Sequence, residues 1–329
     1  MVNKESEDNV SMKIVALIPS YNAGKFLRLS VMSVLRQTMI PSQIVVIDDG
    51  SSDGSIDSIS DLVDGNNVQI IRNNGNIGKA ASLNRCFETI ECDYFLLMDA
   101  DDEAMPNRVE RQVDFMQQQR DIGCSGSFVE YISETGRKIG NGTLDLITEE
   151  RLAEYLRGNS PFGLYCPAVI IRGTTVKDQH LRFRHVFWPA DDIDLWNRIA
   201  EAGWKVLAQP EFLVRYRIHG NSAVTSNCLK TNMQYEWVKK CLRARRSGNP
   251  EPNREEFIEA WRSEGWFRRI HKWRSMSAKC WYRSAGFRYS QKKELTAILI
   301  MAAAFCLKPI YVINRLRNQR NGSKIIANV

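Results

Sequence analysis

Four short apolar runs, each closed by polar sequence containing Gly, Pro or Asp, constrain this chain more than any other feature. They are Lys13-Ile-Val-Ala-Leu-Ile18, Ile44-Val-Val-Ile47, Val68-Gln-Ile-Ile71 and Tyr94-Phe-Leu-Leu-Met98. Apolar residues at helical spacing follow the first run (Phe26, Leu29, Val31, Val34, Leu35) and the second (Ile56, Ile59, Leu62). Strands that alternate with helices of about 10–15 residues imply right-handed crossovers and a parallel sheet. In such a sheet ligands bind beyond the carboxyl ends of the strands. The closing segments therefore cluster Tyr21, Asp49, Asn76, Lys79, Asp99 and Asp101 on one edge.

The fourth closing segment, Asp99-Ala-Asp-Asp102, carries the sharpest chemical signal. Carboxylates crowded this closely repel each other and lose hydration, and a hard cation or a cationic ligand relieves both costs. Mg²⁺ or Mn²⁺ held by one or two carboxylates keeps positions open for substrate phosphates. Two readings follow: a metal–diphosphate site, or the acidic first turn of a helix starting near Pro106.

With these residues in view, the chain resembles family 2 glycosyltransferases of the GT-A fold. Ile18-Pro19-Ser20-Tyr21-Asn22, Asp48-Asp49-Gly50-Ser51-Ser52-Asp53, Asn76-x-Gly78-x-Ala80-x-x-x-Asn84 and Asp99-Ala100-Asp101-Asp102 are similar to four landmarks of that family. Ala190-Asp191-Asp192-Ile193-Asp194-Leu195-Trp196 resembles its Glu-Asp motif ahead of a helix, with Asp191 where Glu is usual. Tyr216-Arg217-Ile218-His219-Gly220-Asn221-Ser222 resembles its closing strand and loop. The resemblance spans about residues 12–225. It implies an α/β fold with a Rossmann-like mixed sheet flanked by helices that binds a nucleotide sugar, here followed by a C-terminal helical extension.

The resemblance also distributes roles. Asp101 is the first metal ligand, Asp99 reaches the metal or the ribose, and His219 is a third ligand or a diphosphate contact. Asp102 is a weaker ligand candidate that could instead cap the next helix. Asp49 and Tyr21 grip the nucleobase, with Pro19, Asp48, Asn76, Gly78 and Lys79 completing the nucleotide site. Asn84 could simply satisfy loop backbone. Asp192 is the general base and Asp191 its neighbour; two adjacent carboxylates repel, which raises the basicity of at least one. The plain alternative is a dipole-favoured helix start at Asp191, Asp192 and Asp194. Trp188 is a candidate platform for a sugar face or a core residue, and Arg217 a phosphate contact or a partner of an acidic core residue. One base and no second nucleophile imply a single, inverting displacement. The implied cofactor is Mn²⁺ or Mg²⁺. The implied partners are a nucleotide-diphosphate sugar, with uridine the favoured base, and a glycan or lipid-linked acceptor of bacterial surface polysaccharide. Two rivals remain: a sugar-nucleotide pyrophosphorylase, and a non-catalytic membrane-associated adaptor that has kept the fold. The first expects a basic Gly-rich loop where this chain has Pro19-Ser-Tyr-Asn-Ala-Gly24.

The net charge of +7 is unevenly spread. Residues 228–329 hold 22 basic and 7 acidic residues, the remainder 23 and 31, which marks a boundary near Ser226. The division is therefore a polar, disordered 1–11, a catalytic domain at 12–225 and a basic helical region at 226–329. Helical patterns cover Lys230–Ser247 and Glu255–Ser284; in the second, residues from Phe257 through Trp266 and Trp273 to Trp281 share a face. The apolar run Leu295–Leu307 is too short to span a bilayer. Basic and aromatic residues around it suit the headgroup plane of an inner membrane, which implies a cytoplasmic protein peripheral to the cytosolic face. The alternative is a helical bundle packed on the catalytic domain. No nucleic-acid-binding fold accompanies the basic residues, so nucleic acid is not an expected partner. Eight scattered cysteines without a C-x-x-C pair read as reduced thiols.

Overall fold

The structure, a computed structural model, describes residues 12–63, 67–177, 180–219 and 228–325. The expected segment 1–11 and the expected boundary near Ser226 lie outside the described residues. The four apolar runs form β1 (Ile14–Ser20), β2 (Gln43–Asp48), β3 (Val68–Arg72) and β4 (Tyr94–Leu97). They pair in parallel in the order β3-β2-β1-β4. Val15–Ile18 and Ile44–Ile47 are fully buried. A strand covered on both faces has no polar side to alternate with, hence the continuous apolar runs. Helices α1 (Phe26–Leu35), α2 (Ser60–Val63) and α3 (Lys79–Thr89) lie between the strands. The second is shorter than its periodicity predicts, because a 3₁₀ turn occupies Asp57–Ile59. There Ser58 and Ser60 donate their hydroxyls to the carbonyls of Ser55 and Asp57, which competes with regular helix.

The rest of the sheet is mixed. It comprises β5 (Glu103–Ala104), β6 (Ile122–Ser133), β7 (Lys138–Gly142), β8 (Ile170–Arg172) and β9 (Lys205–Ile218). β8 runs antiparallel between β4 and β6, β9 runs parallel to β6, and β5 closes the far edge antiparallel to β9. Asp99–Asp102 thus links β4 to a strand paired with β9, in register Glu103 to Arg215. β9 starts at Lys205, well ahead of the closing segment recognised at Tyr216. Its pairing with β6 steps from Gln209 to Phe212 across a bulge, which accommodates Pro210 and its missing N–H. Helices α4 (Arg108–Gln118), α5 (Glu149–Arg157) and α6 (Asp191–Glu201) complete this half.

The C-terminal region is α7 (Cys228–Arg246), α8 (Arg254–Ser263), α9 (Trp266–Ser290), α10 (Glu294–Leu307) and α11 (Pro309–Ile325). It divides in two. Trp237, Val238 and Cys241 of α7 are buried with Phe187, Ala190 and Phe257. Arg245 and Arg246 pair with Glu201 of α6, while Arg184 joins Asp194 to Glu251. Part of the basic excess therefore fastens α7 to the catalytic half. The single aromatic face expected from Phe257 to Trp281 does not form, because the chain turns extended at Glu264 before Gly265. Phe257 is buried, whereas Trp266, Ile270 and Trp273 stay exposed. Cys228 and Cys280 form a disulfide with a Cα–Cα distance of 5.6 Å, which corrects the all-reduced reading. A pair 52 residues apart that joins two helices leaves no local spacing signature. No described helix is long and apolar enough to cross a membrane.

Candidate active site

Three strand-end loops are tied to one another before any ligand enters. Asn22, at φ 50°, accepts from the Ser52 N–H at 2.9 Å and donates its own N–H to Ser51 Oγ at 3.1 Å. The Gly24 N–H donates to Asp53 at 2.8 Å. Asp48 is buried and accepts from the Ser51 N–H at 2.8 Å. Asp49, also buried, accepts from the N–H groups of Ile77 and Gly78, each at 2.8 Å, and from Asn73 Nδ2 at 3.0 Å. Its carboxylate therefore fixes the third loop against the second. Gly78 caps α3 at φ 89°, and a Cβ there would lie 3.1 Å from the His185 ring. Around this frame Pro19 remains in β1 opposite Ile47, while Tyr21 and Asn76 are exposed at the rim.

The carboxylate oxygens of Asp99, Asp101 and Asp102 lie within 4.8 Å of one another. Lys79, from the start of α3, pairs with Asp99. His219 Nε2 is 2.7 Å from Asp101 Oδ2. Asp102 accepts from the Arg217 N–H at 2.6 Å through Oδ1, whereas its buried Oδ2 has no hydrogen-bond partner among the described residues. Burial first, then the charges of Asp101 and Asp99, push the Asp102 carboxyl well above its ordinary range. Asp102 does not cap the next helix, which starts six residues later at Arg108 behind Asn107. Arg217 is buried and serves this cluster: Nε donates to the Asp101 carbonyl at 2.8 Å, and the guanidinium pairs with Glu103. Three converging carboxylates, one with an orphaned buried oxygen, are a donor set that fits a hard divalent cation.

The acids that open α6 have separate tasks. Asp194 is fully buried between Arg184 and Arg198. Asp191 and Asp192 lie in the field of Lys79. Burial raises Asp191, opposed by Lys79 and His185. Burial, then the Asp191 charge, pushes Asp192 up to about 7, although its carboxylate keeps some solvent access and accepts from the Ile193 N–H at 2.8 Å. Lys79 is the link: burial opposes its charge, but Asp99, then Cys166 and Asp192, hold the ammonium well above its ordinary value. Asn84 exchanges two hydrogen bonds with the Phe183 backbone, at 2.8 and 2.9 Å, which anchors the strap leading to α6. Trp188 is half-buried beneath Lys230, 4.1 Å from the ring centroid.

The fold thus brings Lys79, Asp99, Asp101, Asp102, Asp191, Asp192 and His219 to one end of the sheet. Asp48 and Asp49 serve the loop frame next to it. Sequence reasoning missed His185, which rests on Gly78, and Cys166, which lies in the field of Lys79, Asp99 and Asp192. Neither belongs to a motif; only the packing of the strap and of the turn before β8 places them there.

A mixed sheet with an acidic strand-end cluster opposite a helix-borne carboxylate pair defines a GT-A-type fold. Comparison with known proteins agrees. Residues 15–175 match the model of Glycosyl transferase family 2. An uncharacterized glycosyltransferase of Haemophilus influenzae is 27% identical over 238 residues, covering 70% of this chain and 72% of that protein. The amylovoran biosynthesis glycosyltransferase AmsE of Erwinia amylovora is 28% identical over 237 residues, covering 69% and 85%. Among solved structures, S. aureus TarS 1–349 in complex with UDP-GlcNAc superposes with a TM-score of 0.53 at 13% identity, over 89% of this chain and 91% of that one. The mannosyltransferase PcManGT from Pyrobaculum calidifontis, in complex with GDP-Man and Mn²⁺, gives 0.52 at 12% identity, over 93% and 80%. Residues 15–175 thus resemble the family 2 glycosyltransferases, and the relatives that share this sequence are glycosyltransferases.

Proposed function

We propose that this chain is an inverting, metal-dependent glycosyltransferase. It moves a sugar from a nucleoside-diphosphate sugar, a UDP-sugar by preference, to a hydroxyl of a glycan or lipid-linked acceptor in surface-polysaccharide assembly. One observation carries the reading: the Asp99–Asp101–Asp102 cluster, with its orphaned Asp102 oxygen, shares an electrostatic field with Asp192. The relative made for amylovoran biosynthesis supports the polysaccharide setting, and the two structural neighbours support a nucleotide-sugar donor.

In this reading Asp101, Asp99 and Asp102 hold Mn²⁺ or Mg²⁺, with His219 orienting Asp101. The cation, when bound, neutralises charge on the departing diphosphate. Tyr21, Pro19 and Asn76 meet the nucleoside, on a loop frame held by Asp48, Asp49 and Gly78. Lys79 turns its ammonium from Asp99 toward phosphate. Asp192 takes the acceptor proton as the new bond forms, its affinity for a proton near 7 being matched to that task. Asp191 keeps that affinity high through its charge. The catalytic domain is residues 12–225, and 226–329 carries attachment to the cytosolic face of the membrane. Turnover of a panel of nucleotide sugars, with Mn²⁺, Mg²⁺ or chelator, tests the reading. Release of a nucleoside diphosphate from one donor, abolished by chelator, is expected. Lack of turnover and of binding across the panel would favour the adaptor; nucleotidyl transfer to a sugar phosphate would favour the pyrophosphorylase.

A further inference from the structure

Four cations meet at one helix seam, and among the described residues none of them forms an ion pair. Lys279 and Arg283 stand one turn apart on α9; Lys308 and Arg315 stand two turns apart, just before and within α11. The two helices are joined there by the Tyr282–Tyr311 ring pair, 5.9 Å between centroids, and by Lys308 Nζ on Ser275 Oγ at 2.7 Å. None of the four cations has a carboxylate within ion-pair distance among the described residues, unlike Arg245 and Arg246 of α7. Burial, and the charges of Lys308, Arg283 and Arg315 against the opposing Glu236, hold Lys279 below its ordinary value. Like charges gathered this way are stabilised by an anion.

What lies beside them indicates which anion. Tyr131, Tyr165 and Tyr216 form a half-buried cluster with centroids 5.9–6.3 Å apart and the Tyr131 and Tyr165 hydroxyls 2.9 Å from each other. At one end Tyr131 feels Arg315 and Arg283. At the other, Tyr216 precedes Arg217, whose N–H holds Asp102. The tyrosines therefore run from the acidic cluster to the cations. Aromatic faces of this kind suit sugar rings. Exposed apolar side chains mark the same helical region: Leu295, Ile298 and Leu299 on one face of α10, and Trp266 and Trp273 on α9. Residues 266–325 contain 14 basic residues and one acid, Glu294.

We propose that Lys279, Arg283, Lys308 and Arg315 bind the phosphate or diphosphate of a lipid-linked acceptor, whose sugar lies along the tyrosines toward Asp192. The inference rests on the glycosyltransferase reading above and adds the acceptor's chemical class. Arg and Lys clusters recognise phosphate through charge-assisted hydrogen bonds, and a lipid tail places that phosphate at the bilayer surface, where the exposed Leu and Trp side chains sit.

The test uses the full chain and three vesicle types: neutral phosphatidylcholine, the same doped with an isoprenoid diphosphate, and phosphatidylglycerol vesicles matched in surface charge. The intact protein should prefer the doped vesicles to the matched anionic ones, and inorganic pyrophosphate should compete. Arg283→Gln with Arg315→Gln should weaken the doped-vesicle binding by about tenfold or more. Lysine at both positions should restore most of it. UDP binding by the same double variant should be unchanged; loss of UDP binding in the unaltered protein would strike the donor reading instead. Equal binding to doped and charge-matched vesicles, or full binding by the Gln variant, would overturn the proposal. Should the double variant fail to fold, Arg283→Gln alone is read against the same outcomes.

Discussion

Replacing Asp192 by Asn should produce two effects of opposite sign. The amide keeps the side chain's shape and the bond from the Ile193 N–H, but it cannot take a proton. Turnover should fall by about 10²–10⁴-fold, the usual worth of a positioned general base, with donor binding unchanged. Stability should rise. The carboxyl has an ordinary value of 3.8 and is pushed up to about 7, by burial first and Asp191 second. A group with a higher pKa folded than unfolded stabilises the fold fully below the unfolded value, and this contribution is lost as pH rises through 7. At about 1.36 kcal/mol per pH unit the ionised carboxylate costs at most about 4 kcal/mol. Its partial solvent access reduces this to about 1–3 kcal/mol. At pH 8 and in chelator, Asp192→Asn should therefore melt about 2–6 °C above the parent. At pH 4, where both side chains are neutral, the difference should vanish. The same titration gives the parent's rate an acid limb near pH 7. Scanning calorimetry at both pH values, beside initial rates, decides the matter. A variant that is inactive and also less stable at pH 8 would make Asp192 a structural cap. Full turnover would move the base elsewhere, with Asp191 the first candidate.

Three further outcomes follow from the same geometry. Gly78→Ala forces a side chain onto φ 89° and into the His185 ring; it should lower the melting temperature and raise the KM for the donor, and a neutral result would show that the loop frame is not tight. An α-linked donor should yield a β-linked product, read from the anomeric coupling constant by NMR; retention would remove Asp192 from the base role. High salt should release the protein only partly from anionic vesicles and alkaline carbonate fully, since about 1 kcal/mol per basic residue is screened by salt while apolar insertion is not; retention in carbonate would mean a spanning segment.

The parallel half of the sheet was legible because β1, β2 and β4 are covered on both faces and must be unbroken apolar runs. The acidic cluster was legible because it closes one of those runs. What the sequence concealed depends on partners far away along the chain. Asp49 is anchored to the backbone of residues 77 and 78, and nothing in Asp49-Gly-Ser announces that. Arg217 is committed to Glu103 and the Asp101 carbonyl because β5 pairs with β9, a contact between segments more than a hundred residues apart. The start of β9 was hidden by Pro210, which reads as a strand breaker until the bulge is seen. In the tail, charge alone did not distinguish Arg245 and Arg246, paired with Glu201, from Arg283 and Arg315, which have no carboxylate partner among the described residues. Helical periodicity ran through Glu264 and Gly265 as though the helix continued, so the aromatic face was drawn too long.

The central claim is that Asp99, Asp101 and Asp102 hold a divalent cation on which a nucleoside diphosphate binds. Calorimetric titration of the full chain with UDP, in Mn²⁺ and again in chelator, tests it most directly. The account predicts binding in Mn²⁺, loss in chelator, and loss in Mn²⁺ for a folded Asp101→Ala variant. UDP bound with equal affinity in chelator, or by Asp101→Ala, would contradict it.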